Sequence, residues 1–293
     1  MRAAFVVTLV LMGWCSQALA AATPFELGDQ GGVILAVSLN GRGPFRLLLD
    51  TGSTHSAVSE AVAAAIGAPA VAKTTIGSAT GGREAIVVRI DALECGALVV
   101  SGLMASVGSF DRLSGTDRIQ GVIGLDALSA VRYTIDFRRR ELLWWPEDRA
   151  VARGASFALE GSRGRFLISL PQRRDVLRLV PDSGAGTLLL FDPSKRLPLT
   201  RLGQRGTLTT MSATGTVRLA WMRELKVGAA MLQNVAAVVV RRNPTEPDEA
   251  DGLLPLHLFD KVTFDGPNRV LILEGSGACP EPVEGPDARL MFF

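Results

Sequence analysis

Apolar residues fall in short runs along this chain, separated by Gly, Asn, Asp, Ser and Pro. Val33–Leu39, Phe45–Leu49, Ala85–Ile90, Ala97–Val100, Tyr133–Phe137 and Glu141–Trp145 are examples. Val/Ile/Leu-rich runs of this length between turn signals predict β-strands. Helical patterning is sparse. One short helix is predicted over Val58–Ile66, capped by Ser56 and stopped by Gly67, and another over Leu125–Val131. The expected class is all-β with few short helices.

The runs also repeat. "FRLLL" leads into Asp50-Thr51-Gly52-Ser53, and "LRLVP" leads into Asp182-Ser183-Gly184-Ala185, 132 residues later. Ser-Ala-Thr-Gly occurs at 78–81 and at 212–215. "GVIGLDAL" at 121–128 pairs with "GLLPLHLF" at 252–259, and "YTIDF" at 133–137 with "VTFDG" at 262–266. "ILAVSLNG" at 34–41 has a looser partner in "FLISLPQR" at 166–173. Blocks in one order at nearly constant spacing signal an internal duplication. The division expected is a signal peptide over 1–22, a first lobe over 23–145, a linker over 146–165, a second lobe over 166–276 and a tail over 277–293, loosely attached.

Charge narrows the classes. The net charge of +2, with scattered Arg, gives no nucleic-acid surface. The one basic run, Arg138–Arg140, lies between two strand-like segments and reads as a solvated turn. Arg2, the apolar stretch Ala3–Trp14 and the small-residue site Ala18-Leu19-Ala20 read as an export signal. No later stretch is apolar enough for a membrane helix. An exported protein, periplasmic or secreted, is expected. Export would leave Cys95 and Cys279, and spacing leaves their pairing open. His55 and His257 are the only histidines, and there is no Cys-x-x-Cys, so no metal site is expected. Neither a Gly-x-Ser-x-Gly elbow nor a phosphate loop is present.

A carboxylate ending a buried strand is costly unless it is paired. The repeat offers a pair: related lobes facing across a twofold axis would bring Asp50 and Asp182 together. Two charges about 3 Å apart at an effective dielectric of about 20 repel by roughly 5 kcal/mol, or about four pKa units. One carboxyl then holds a proton while the other serves as a base, a combination suited to activating water. Gly52 and Gly184 allow close approach of the backbone. Thr51 and Ser183 can hydrogen-bond across the lobes, and Ser53 can donate to the outer oxygen of Asp50. Asp136 and Asp265, also repeated, each precede a hairpin turn and read as structural.

With Val122-Ile123-Gly124 downstream of the Asp50 motif, the chain resembles the retropepsin-like and pepsin-like aspartic proteases. The resemblance implies acid-protease barrels in two pseudo-twofold lobes, with Asp50 and Asp182 as catalytic residues. Thr51, Gly52, Ser53, Ser183, Gly184 and Gly124 would support them. A flap at Gly77, Ser78, Ala79, Thr80, Gly81 and Gly82 would close on an extended peptide or unfolded protein substrate. No cofactor is implied, and a chain holding both lobes would act as a monomer. The second lobe departs at Pro255, where the family has Gly; Pro lacks an N–H and fixes φ. Two alternatives follow: an inert peptide-binding module of the same fold, or a homodimer using only Asp50.

Overall fold

The computed structural model describes residues 22–78, 81–110, 118–144, 154–191, 197–200, 205–210, 214–241, 250–275 and 289–292. Residues 1–21 of the expected export signal, Cys279, Trp145 and Ala79-Thr80 of the flap lie outside the described residues. No helix among the described residues is long and apolar enough to cross a membrane.

Strands dominate. The first half of the chain holds β1 (Ala22–Pro24), β2 (Glu26–Leu27), β3 (Val33–Leu39), β4 (Arg42–Leu49), β5 (Ala57–Ser59), β6 (Ala70–Ser78), β7 (Gly81–Cys95), β8 (Leu98–Gly108), β9 (Gly121–Ile123), β10 (Arg132–Asp136) and β11 (Glu141–Trp144). The second holds β12 (Ala155–Ala158), β13 (Glu160–Ser162), β14 (Arg165–Pro171), β15 (Val176–Asp182), β16 (Leu188–Phe191), β17 (Leu199–Thr200), β18 (Arg205–Thr210), β19 (Thr214–Val227), β20 (Ala230–Val240), β21 (Gly252–Pro255), β22 (Lys261–Asp265), β23 (Val270–Glu274) and β24 (Arg289–Phe292). Two short helices, α1 (Glu60–Ala65) and α2 (Leu125–Leu128), complete the first half.

The described residues form three sheets. An eight-stranded sheet of order β2-β3-β4-β9-β5-β8-β7-β6 takes the first half, and a larger sheet built around β14-β15-β21-β16-β20-β19-β18 takes the second. Their pairings correspond. Leu48 faces Val122 in the parallel pair β4–β9, as Val180 faces Leu253 in β15–β21. Ala57 faces Val122 in antiparallel β5–β9, as Leu189 faces Leu253 in β16–β21. The third sheet, β1-β11-β10-β22-β23-β12, draws strands from both halves. At its centre β10 and β22 run antiparallel with Thr134 opposite Thr263, and their hydroxyls lie 2.7 Å apart. Lys261 meets Asp136 at 3.1 Å, and Arg132 lies 3.6 Å from Asp265, on either side of that pair. The inward residues of these strands form one continuous apolar cluster, in which Tyr133 stacks on Phe264.

Three local expectations change. Val58 belongs to a strand rather than a helix, because Ala57–Ser59 pairs in parallel with Ser106–Gly108. The helix starts at Glu60, and its N-cap is Ser59, whose side chain accepts from Val62 N at 3.2 Å; Ser56 is engaged elsewhere. The second helix stops at Leu128. The tail contributes a strand, since Arg289–Phe292 pairs in parallel with β18. Cys95 is a buried free thiol, pushed up to about 12 by burial. Arg138–Arg140 form an exposed turn, and Asp136 and Asp265 accept from Arg139 N and Asn268 N within their hairpins.

Candidate active site

Strands β4 and β15 end in two similar loops, and each loop wraps its own carboxylate. Asp50 Oδ1 accepts from Gly52 N at 2.9 Å and Ser53 N at 3.1 Å. Asp182 Oδ1 accepts from Gly184 N at 2.8 Å and Ala185 N at 3.0 Å. Both residues are buried, at 0% and 1% exposure. The Ser53 hydroxyl does not reach Asp50 as expected. It donates to His55 O at 3.0 Å, and the backbone N–H of Ser53 serves the carboxylate instead.

The loops are tied to each other by four crossed bonds. Thr51 N donates to Ser183 Oγ (3.1 Å) and Ser183 N to Thr51 Oγ1 (3.0 Å). Thr51 Oγ1 donates to Pro181 O (2.8 Å) and Ser183 Oγ to Leu49 O (2.6 Å). Each hydroxyl thus accepts from one backbone group and donates to another. Removing either would strand two buried groups at about 1–3 kcal/mol each.

This grip sets each carboxyl against the other loop. A Cβ on Gly52 would lie 2.5 Å from Asp182 Cγ, and one on Gly184 would lie 3.0 Å from Asp50 Cγ. A Cβ therefore has no room at Gly52, and at Gly184 it would press on the Asp50 carboxyl and Leu48. The two carboxyls are near enough to act on one another electrostatically. Asp50 Oδ2 is buried with no hydrogen-bond partner among the described residues. Burial pushes Asp50 well up, and the charge of Asp182 pushes it further. Burial also raises Asp182, opposed by the Gly184 N–H, the bond to Asp50, the Ala185 N–H and the charge of Arg165.

Beneath the Asp50 loop lies a polar lock that the sequence reading missed. Asp126 accepts from Ser56 N at 2.9 and 3.0 Å and from Ser56 Oγ at 2.7 Å, and Gly124 N donates to Ser56 Oγ at 3.0 Å. In the second half the register puts Leu188 at the place of Ser56, Pro255 at that of Gly124 and His257 at that of Asp126. Pro255 thus omits an N–H where its acceptor is also gone. It keeps extended backbone (φ −63°, ψ 130°) and pairs with Asp182 at the end of β21.

Around the site, Gly77-Ser78 ends β6 and Gly81-Gly82 begins β7, paired across the hairpin. The Ser162–Arg165 turn packs toward the Asp50 loop, where a Cβ on Gly164 would lie 3.4 Å from Thr54 Cγ2. His55 is exposed, with Nδ1 2.8 Å from Thr54 Oγ1. Among the described residues no group of three His, Cys, Asp or Glu is placed to hold a metal.

Residues 35–127 match the family model described as aspartyl protease, which covers the Asp50 loop and the Gly124 block but less than half of the chain. A retropepsin-like aspartic protease from Rickettsia conorii aligns with 42% of this chain and 89% of its own, at 16% identity and a TM-score of 0.33. No curated protein matches. The chain has an all-β fold distantly like that of aspartic proteases.

Proposed function

We propose that this protein is an aspartic endopeptidase in which Asp50 and Asp182, one from each of two related lobes, activate a water molecule between them. The observation that carries the reading is the pair of buried carboxyls, with each Oδ1 anchored on two N–H groups and Oδ2 of Asp50 buried without a hydrogen-bond partner. The ionised carboxyl takes a proton from water as its oxygen attacks the peptide carbonyl carbon. The protonated carboxyl gives its proton to the carbonyl oxygen. Collapse of the tetrahedral species returns a proton to the leaving nitrogen, and the pair is restored. The water adds directly, so no acyl-enzyme forms.

Substrate would be an extended peptide or unfolded protein. It would bind through main-chain hydrogen bonds as an added strand under the β6–β7 hairpin, with Gly77–Gly82 as the flap. Thr51, Gly52, Ser183 and Gly184 hold the acids in place, and Gly124 supports the first loop. Because Pro255 replaces an N–H that has no acceptor, both acids are counted as competent and the chain acts as a monomer. It works after export.

The test is cleavage of denatured casein by the parent, Asp50→Asn and Asp182→Asn. Cleavage by the parent at a rate proportional to its concentration, lost in both variants, is expected. Activity surviving Asp182→Asn would point to a homodimer using Asp50. Peptide binding without any cleavage would point to an inert binding module.

A further inference from the structure

The proposed reaction leaves His257 unused, although it lies directly behind the Asp182 loop. Its ring lies against the backbone of Ala185, which acts on it in the sense that favours the protonated ring, as a carbonyl facing a ring N–H does. Nδ1 is buried without a partner, so Nε2 is the donor and Nδ1 carries the lone pair. The lone pair faces the turn between β2 and β3: a Cβ on Gly31, itself at φ +83°, would lie 2.8 Å from Nδ1. The next residue of the loop is held by the same turn, since a Cβ on Gly186 would lie 2.5 Å from Gln30 O. Ala185 is the shared element. Its N–H holds Asp182 Oδ1 at 3.0 Å, while its backbone receives the imidazole.

We propose that His257 is a positioning residue: its neutral, Nε2-protonated ring clamps the Asp182–Gly186 loop against the Gly28–Gly32 turn and so sets the aim of the Asp182 carboxyl. It does for the second loop what Asp126 does for the first, with the polarity reversed. Asp126 accepts from Ser56, whereas His257 donates, because Leu188 offers no side-chain donor. The neutral form matters because a proton on Nδ1 would point at Gly31, which leaves no room for an acceptor side chain. Burial holds the imidazole down at about 4, so the clamp persists through mildly acidic pH. The charged groups on the surrounding elements are Asp29 in the turn, Asp182 with Asp50 against it, and Asp260 and Lys261 on the following segment. This role rests on the proposed proteolysis.

The full chain is compared with His257→Leu, which removes both nitrogens, and His257→Gln, which keeps a donor at similar reach and does not titrate. Imidazole NMR, assigned with His55→Gln, follows the two histidines, while kcat and KM are taken against pH on a fluorogenic peptide. Expected are a His257 resonance titrating near 4, a loss of kcat of about tenfold or more in His257→Leu with KM within roughly twofold, and recovery in His257→Gln with an altered acid limb. A His257 that titrates in the ordinary imidazole range, or a folded His257→Leu with the parent's kcat and pH profile, overturns the proposal. If His257→Leu does not fold, the acid limb of His257→Gln decides: altered supports, unchanged overturns. If the parent cuts no peptide, the proteolytic reading fails, and the His257 titration in Asp182→Asn decides the clamp. A moved midpoint supports it and an unmoved one overturns it.

Discussion

Burying Asp50 and Asp182 together costs the folded chain stability in a way that depends on pH. Both carboxyls are pushed up, burial being the leading cause for each. The folded chain therefore holds a proton that the unfolded chain has already released. The penalty is absent below the unfolded carboxyl pKa and grows as pH rises toward the folded one. Asp50→Asn removes it, so this variant should unfold at higher urea than the parent at pH 7 and at the same urea near pH 3. A parent more stable than Asp50→Asn at pH 7 would contradict a raised pair. His257 works in the opposite window. Its imidazole falls from an ordinary 6.5 to about 4 on folding, worth about 3 kcal/mol. That stability is present above pH 6.5 and is lost as pH falls toward 4, so the same urea series should flatten on its acid side in His257→Gln. The two carboxylates were legible in the sequence because their flanking residues repeat. The imidazole's position was not, since a repeat shows that His257 replaces Asp126 but not what each of them touches.

At the scale of the element, the two Asp loops rest on different supports. The Asp50 loop is locked by Ser56, Gly124 N and Asp126. The Asp182 loop has Leu188, Pro255 and His257 in those places. Pro255 and Leu188 are a matched change: the N–H that Pro lacks would meet no hydroxyl at residue 188. Gly124→Pro should remove the donor to the Ser56 hydroxyl and press on His55, where even a Cβ would fall 2.6 Å from the carbonyl carbon. A loss of about 3 kcal/mol or more is expected. Pro255→Gly should cost only about 0.4–1 kcal/mol, through the freer unfolded chain. Urea midpoints of the two variants check the contrast, and equal losses would contradict it. The hydrophobic runs were enough to predict strands, but not the partner that turns Val58 from helix to strand. That choice is made by pairing with Val107, a contact 49 positions away that local patterning does not encode.

In the whole molecule, the halves are joined at two levels. The crossed bonds of Thr51 and Ser183 fix the carboxyls, and the antiparallel pair β10–β22 sits at the centre of the shared sheet. Thr134 and Thr263 occupy equivalent places in the repeat and face each other, so the sheet reads alike from either edge. Flanking them, Asp136–Lys261 and Arg132–Asp265 exchange partners in the same sense. The sequence carried the repeated blocks that correspond to this arrangement. It did not carry the register, because no local signal says which strand of one half meets which of the other.

Proton sharing between residues 50 and 182 is what the proposed chemistry requires, and carbon-13 NMR of labelled aspartates reads it directly. With Asp50→Asn and Asp182→Asn to assign them, the two side chains should titrate in linked steps, with one proton retained well above the ordinary carboxylate range. Two independent midpoints near 4, each unmoved when the other residue becomes Asn, would contradict it.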